Sequence, residues 1–323
     1  MTSTPAPQSD ARPAPAWLIY RDMIRTRLFE ERCVRGYQEG IVRGAVYPSG
    51  GQEAIGVAAC HALERNDWVI PSLRTRGAFF ARGLSTAEQF RALLGSPRAN
   101  NAFREAPHHS SSPEHGLVPG STMLGGHLPV AAGLALSAKL DGRASVALAF
   151  MGDGTLGAGD VYETMNIAAV WKLPLIIVCE NNRWQIMVPW HRVRVHEETT
   201  GYAEAFGMLA REVDGNDAFD VYHSTRWARE RALSGRPVYL DCATFRTAIY
   251  STQFGEPRRK NPPDIDVWKE RDPIARMAEW LLSYGGSTPD QLSKLREEAG
   301  LEVEQSLEAV LTEIRAAGQE ARV

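Results

Sequence analysis

The sequence predicts an α/β fold: a mostly parallel sheet flanked by helices, followed by a helical C-terminal region. Three observations predict it. The runs "ASVALAF" and "PLIIVCE" are short and continuously apolar, as strands buried on both faces are. A segment of helical length, Gly159 to Trp171, stands between them, which is the βαβ order. Residues 266–323 are charged, amphipathic and helical in pattern.

The remaining elements follow in chain order. Residues 1–16, "MTSTPAPQSDARPAPA", are rich in Pro and Ala with no hydrophobic run of the signal-peptide type, and read as a disordered tail. Residues 17–323 then form a single domain. Trp17 to Glu39 has helical periodicity through Leu18, Ile19, Met23, Leu28 and Phe29. "GGQEAIGVAACHAL" predicts a second helix and "DWVIPS" a short strand. "TAEQFRALLG" predicts a helix with Thr86 as its N-cap and Gly95 as its stop. Residues 96–122 are polar and too long for an ordinary connection, so they are either functional or mobile. "LPVAAGLALSAKL" is a small-residue helix. A helix near 199–210 and the strand "PVYLDCATF" come next, then an irregular segment, "RTAIYSTQFGEPRRKNPPDID", broken by Gly255 and three prolines.

Composition excludes several classes. A formal net charge of -3 points to neither a nucleic-acid nor a membrane partner. Cys33, Cys60, Cys179 and Cys242 include no C-x-x-C pair, so neither a zinc site nor a disulfide framework is signalled. The expectation is a reducing, cytoplasmic compartment.

The informative stretch is "FMGDGTLGAGDVYETMNIAAVWKLPLIIVCENN". One βαβ unit returns its two strands to the same sheet edge, so Asp153 and Asn182 meet just past two C-terminal strand ends. Open α/β sheets bind ligands there. A carboxylate and a carboxamide oxygen suit Mg²⁺, which shares its octahedron with phosphate oxygens. Gly154 permits close backbone approach, and the following helix N-terminus favours an anion. Either motif alone is a common turn; the pair, each closing a buried strand, is far more specific.

Gly152-Asp153-Gly154 followed by Asn181-Asn182 matches the thiamine-diphosphate motif. The wider text, G-D-G with E-x-x-N-x-A-A-x-W-x-L-P-x-I-x-x-x-E-N-N, resembles the alpha subunit of the 2-oxo acid dehydrogenase decarboxylase component, of the pyruvate, branched-chain or acetoin type. The similarity runs over roughly residues 20–320. It includes "GQEA" (Gly51 to Ala54), R-x-x-G-x-x-x-x-x-G (Arg74 to Gly83), L-P-x-A-x-G (Leu128 to Gly133) and "DPI" (Asp272 to Ile274).

The resemblance implies the thiamine-diphosphate-binding fold, with thiamine diphosphate and Mg²⁺ as cofactors. It implies that Asp153, Asn182 and the carbonyl of Trp184 hold the metal. Arg74, Gly152, Gly154 and Thr155 would contact the diphosphate, and Leu124 and Gly125 would lie beneath the bent cofactor. The activating glutamate would come from a beta-type subunit in an α₂β₂ assembly. A lipoyl acyltransferase, or another acyl acceptor, would take the product.

The departures concern histidines. Tyr250 takes the position of a histidine that touches the diphosphate, and Ile249 stands near another. Ser251 and Thr252 remain, without the acidic residues that follow them in the family. Leu73 replaces a tyrosine, and Arg76 stands where the pyruvate type often has histidine. His109, in "REAPHHSS", and His127, in "GGHLP", each either face the substrate or are structural. Three functions compete. The first is decarboxylation of a 2-oxo acid with transfer to a lipoyl domain. The second is carbon–carbon bond formation with a non-lipoyl acceptor. The third is a non-catalytic regulatory subunit, against which the intact Asp153/Asn182 pair argues.

Overall fold

The structure is a computed structural model, and it describes residues 15–99, 110–254 and 265–318. The strands are β1 (Trp68–Ile70), β2 (Ala147–Gly152), β3 (Leu175–Asn181), β4 (Trp184–Gln185), β5 (Val188–Pro189), β6 (Leu209–Asp214) and β7 (Val238–Ala243). β4 and β5 form a small antiparallel hairpin. The other five form one parallel sheet in the order β1-β2-β3-β7-β6. The expected α/β architecture with a mostly parallel sheet is therefore what the chain adopts.

Side-chain alternation explains why both faces are covered. Leu148, Phe150, Ile176, Val178, Val238 and Leu240 point to one core; Ala147, Ala149, Met151, Leu175, Ile177 and Tyr239 point to another. The register puts Leu148 beside Ile176 and Ile176 beside Val238, so each row is continuous across the sheet. Slipping one strand by a residue would exchange the two rows, which specifies the pairing strongly.

Helices α1 (Ala16–Gln38), α2 (Glu53–His61), α3 (Gly77–Ala81), α4 (Thr86–Leu94), α5 (Leu128–Leu140), α6 (Gly159–Val170), α7 (Thr200–Glu204), α8 (Ala218–Leu233), α9 (Ile265–Glu270), α10 (Pro273–Ser283) and α11 (Pro289–Ala316) surround it. Helices α1, α2, α8 and α10 cover the first face; α5 and α6 cover the second. Helix α11 buries Val303, Leu307, Val310 and Ile314, one face at helical spacing, against Phe29, Phe90 and Leu93 of α1 and α4. The C-terminal helix thus packs back onto the first one. Among the described residues no helix is long and apolar enough to cross a membrane. All four cysteines are buried and unpaired, in keeping with core roles.

Four local features differ from the sequence expectation. The N-cap of α4 is Ser85, not Thr86: Ser85 and Glu88 form a reciprocal capping box, while Thr86 is buried and donates to Glu302 Oε1 at 2.6 Å. Residues 199–210 divide into the short α7 and the start of β6. β6 is an edge strand, and only Val213 in "LAREVD" is buried, so it lacks the continuous apolar run that marks the central strands. Helix α8 has only a weak apolar signal, because its buried face, Ala218, Val221, Ser224, Thr225, Ala228 and Ala232, is made of small and polar residues; Asp217 starts it by accepting from the N–H groups of Phe219 and Asp220. The tail expected over 1–16 lies outside the described residues as far as residue 14, and Ala16 already belongs to α1.

A buried ionic network joins these elements behind the sheet edge. Glu53, in "GQEA", receives Arg27 Nε at 2.6 Å and Nη2 at 2.8 Å, and the N–H of Gly51 at 3.0 Å. Arg27 also reaches Asp272, the N-cap of α10, at 2.8 Å; this explains "DPI", with Pro273 at the first helical position. Gly51 has φ +91°, and a Cβ there would lie 2.7 Å from the carbonyl oxygen of Phe245.

Glu30 is buried beside this network and accepts from Ser49 N–H and Oγ at 2.7 and 2.8 Å. Burial, then the charge of Glu53, push its carboxyl up to about 8 from an ordinary 4.5. Between those values the folded chain holds a proton that the unfolded chain has released. Stability contributed by this group therefore falls as pH rises through that window. Glu30→Gln is expected to flatten this dependence, so that the variant gains on the wild type towards the alkaline end. Chemical denaturation of both proteins at the two ends of the window measures it; parallel profiles would refute the assignment.

Candidate active site

One cavity opens at the C-terminal edge of the sheet. Its walls come from the loops after four strands: Ser72 to Arg74 after β1, Gly152 to Thr155 after β2, Asn182 and Trp184 to Ile186 after β3, and Tyr250 after β7. The parallel direction of all four strands brings these loops together. Gly152 pairs with Glu180 in the register, so Asp153 and Asn182 are adjacent, as the βαβ argument requires.

Asp153 and Asn182 are both buried in the cavity wall. Asp153 Oδ2 is paired with Arg194 at 2.5 Å, while Oδ1 is buried with no hydrogen-bond partner among the described residues. Burial raises the Asp153 carboxyl above its ordinary range, and Arg194 opposes that rise. Asn182 donates from Nδ2 to Gln52 Oε1 at 3.1 Å, which turns its Oδ1 to accept from Trp184 N–H at 3.1 Å. Between them Arg183 has φ +65°, a left-handed turn that folds the chain so that the Asn182 carboxamide and the Trp184 backbone share one place. An orphaned carboxylate oxygen beside an amide oxygen and a backbone carbonyl fits a hard cation that takes its other ligands from phosphate. Among the described residues no group of three or more His, Cys, Asp or Glu side chains could hold a metal, so a cation here needs such mixed ligands.

The same cavity carries groups suited to an anion. Arg74 is steered by Nη1 to Pro48 O at 2.6 Å and Nη2 to Tyr250 O at 3.2 Å, and lies near the rings of Tyr47 and Tyr250. Gly154 and Thr155 begin a 3₁₀ turn over Asp153–Gly157, and the first N–H groups of such a turn have no acceptor within it. Helix α6 starts only at Gly159, which does not line the cavity. The N–H groups offered to an anion are therefore those of the 3₁₀ turn, not of the helix expected there. Any side chain at Gly154 would meet Gln185 Cγ at 2.8 Å, so the hairpin β4–β5 closes over a bare backbone.

The remaining expected residues divide. Leu124 lines the cavity with its side chain half exposed. Gly125 does not line it: at φ +88° it packs against Ala158, and its carbonyl accepts from Leu128 N–H at 2.9 Å. His127 is buried in the wall, and Nε2 meets the carbonyl of Phe150 at 2.7 Å. A carbonyl can only accept, so Nε2 carries the proton and Nδ1 is an acceptor, without a hydrogen-bond partner among the described residues. Burial pushes this imidazole below its ordinary range, which favours its neutral form, and the Phe150 hydrogen bond opposes that shift. Tyr250 stands edge-on to Tyr47, with ring centroids 5.7 Å apart, and Arg246 approaches its face at 5.2 Å. Its segment is tied to the chain before α2 through Thr247 N–H to Gly50 O and Thr252 N–H to Val46 O. Arg76 lies away from the cavity near Phe29 and Phe79. His109 lies outside the described residues.

Sequence reasoning missed several cavity groups. Gln52, which orients Asn182, sits inside the quoted "GQEA" and was readable there. Glu180 is the first residue of "ENN"; it is buried and accepts from Ser72 Oγ at 2.6 Å and Thr75 Oγ1 at 3.0 Å. Burial raises its carboxyl, and those two hydroxyls oppose the rise. Arg194, behind the cavity wall on Asp153, had no signal at all, being one of several arginines in a loop.

Comparison with known proteins accords with this geometry. The family described as "Dehydrogenase E1 component" matches residues 21–316. The chain is 30% identical over 303 residues to the pyruvate dehydrogenase E1 component subunit alpha of Porphyra purpurea, spanning 91% of this chain and 88% of that protein. It is 32% identical over 291 residues to the protein of the same name from Bacillus cereus, spanning 90% and 76%. It is 30% identical over 281 residues to the mitochondrial 2-oxoisovalerate dehydrogenase subunit alpha 2 of Arabidopsis thaliana, spanning 86% and 59%. A family match over residues 21–316, with relatives at 30% identity over most of both chains, means that the chain belongs to the dehydrogenase E1 component family.

Proposed function

We propose that this chain is the alpha subunit of a thiamine-diphosphate- and Mg²⁺-dependent enzyme that decarboxylates a 2-oxo acid and passes the acyl unit to an acceptor. The observation that carries the reading is the unpartnered Asp153 Oδ1, buried beside Asn182 in a cavity that also holds Arg74. Asp153, Asn182 and the Trp184 carbonyl would hold Mg²⁺. Arg74 and the N–H groups of Gly154 and Thr155 would take up diphosphate charge in a preorganised cavity wall. Leu124 would support the cofactor rings, and neutral His127 would offer Nδ1 as an acceptor. When bound, thiamine diphosphate supplies the carbon nucleophile and the electron sink for decarboxylation. The relatives' names, pyruvate and 2-oxoisovalerate dehydrogenase subunits, support a 2-oxo acid as substrate.

Among the described residues, the carboxylates lining the cavity are Asp153, paired with Arg194, and Glu180, engaged by Ser72 and Thr75. This supports a beta-type partner subunit, in an α₂β₂ assembly, as the source of the activating glutamate. A lipoyl domain is the acceptor that the family suggests. Tyr250, at a position where the family carries histidine, favours a second reading in which a different acceptor is used and a carbon–carbon bond forms.

Calorimetric titration of the chain assembled with its beta-type partner tests the proposal. Thiamine diphosphate is expected to bind only with Mg²⁺ present, and the complex to release CO₂ from a 2-oxo acid. Absence of Mg²⁺-dependent binding would overturn the reading in favour of a regulatory subunit. Products from a labelled 2-oxo acid, with a lipoyl domain or an aldehyde offered, separate the two acceptors.

A further inference from the structure

Arg194 lies between β5 and α7, outside every motif that carries the family resemblance. Its side chain is 5% exposed and that of its partner Asp153 is 1% exposed. All three guanidinium nitrogens are engaged. Nη1 donates to Asp153 Oδ2 at 2.5 Å, Nη2 to Asn181 Oδ1 at 2.9 Å and to Glu197 O at 3.2 Å, and Nε to His196 O at 2.9 Å. The fork therefore spans the ends of β2 and β3, the two strands that carry Asp153 and Asn182. Asp153 and Asn182 line the cavity and Arg194 does not, so the guanidinium grips the carboxylate without forming part of that wall.

This arrangement divides the two oxygens of Asp153. Oδ2 is taken, and Oδ1 alone is left without a partner among the described residues. Mg²⁺ demands near-ideal octahedral geometry, and a carboxylate free to rotate could offer both oxygens or neither. We propose that Arg194 is a positioning residue for the cation: it makes Asp153 a one-oxygen ligand and sets the spacing between the two strand ends. The inference rests on the Mg²⁺ reading of the site.

Bare electrostatics argues the opposite sign, because a buried guanidinium beside a dication repels it. The two accounts therefore separate cleanly. If positioning dominates, Arg194→Ala weakens Mg²⁺ binding by about 10- to 100-fold, the usual cost of losing a residue that orients a metal ligand. If repulsion dominates, the same variant binds Mg²⁺ more tightly. Arg194→Lys keeps the charge but not the planar fork, so it cannot hold both strand ends.

The experiment titrates Mg²⁺ into the full chain, assembled with its beta-type partner, at saturating thiamine diphosphate. Intrinsic fluorescence reads occupancy, since Trp184 lines the cavity. Arg194→Ala is expected to raise half-saturation by about 10- to 100-fold, with cofactor affinity at saturating Mg²⁺ unchanged, and Arg194→Lys to be impaired less. Unchanged or tighter Mg²⁺ binding in Arg194→Ala would overturn the proposal. If that variant does not fold, a wild-type Mg²⁺ titration in Arg194→Lys overturns it instead. A wild-type assembly that shows no Mg²⁺-dependent cofactor binding removes the reading of the site and this inference together. Normal wild-type binding with normal Arg194 variants removes the inference alone.

Discussion

Asp153→Ala is expected to abolish Mg²⁺-dependent cofactor binding, weakening it by at least about 100-fold, the upper end of what loss of an orienting residue alone would cost. The effect is large because one side chain serves two purposes. Its Oδ1 is the only charged oxygen offered to the cation by the residues proposed to hold it, and its Oδ2 neutralises Arg194. Removing it leaves a guanidinium buried without its counter-charge, which costs about 3–5 kcal/mol when one partner of a buried pair is deleted. Asp153→Asn keeps an acceptor for Arg194 and loses only the charge, so it should recover part of the stability and little of the binding. Calorimetric titration and urea denaturation of both variants measure the two effects separately. Binding by Asp153→Ala equal to wild type would remove Asp153 from the site.

Glu53→Ala is the second large effect, and it acts on stability first. The Glu53 side chain is 0% exposed and gathers Arg27 through two nitrogens and Gly51 through its N–H. Deletion leaves Arg27 with Asp272 alone, at an expected cost of about 3–5 kcal/mol. The consequence reaches the cavity because Gly51 precedes Gln52, and Gln52 orients the Asn182 carboxamide. A loosened Gly51 should therefore weaken cation binding as well as the fold. Urea denaturation gives the first number and Mg²⁺ titration the second. A stability loss below about 1 kcal/mol, the size of a surface pair, would show that the network is not the anchor described.

The two variants differ in how far a sequence alone could have led to them. Asp153 and Asn182 were legible because each closes a buried strand, and one crossover helix must return the chain to the same edge. That constraint is local and geometric, so the motif carries it. Buried runs such as "PLIIVCE" declared the central strands for the same reason: burial on both faces keeps the row apolar until its C-terminal end, where Glu180 meets the cavity. Edge strand β6 and polar helix α8 left no such mark, because partial exposure lets their composition resemble a loop.

By itself the sequence determined the α/β class, the central strands, the family resemblance and the meeting of Asp153 and Asn182 at the strand ends. Only the tertiary structure decided that Gly125 packs against Ala158, that a 3₁₀ turn stands between β2 and helix α6, and that His127 Nε2 meets the Phe150 carbonyl. It alone joined Arg194 to Asp153 and Arg27 to both Glu53 and Asp272. The physical reason is reach. Periodicity and turn chemistry act over a few residues, whereas a buried charge is satisfied by whatever group the packing brings within hydrogen-bond distance. For Arg194 that partner is 41 positions away along the chain.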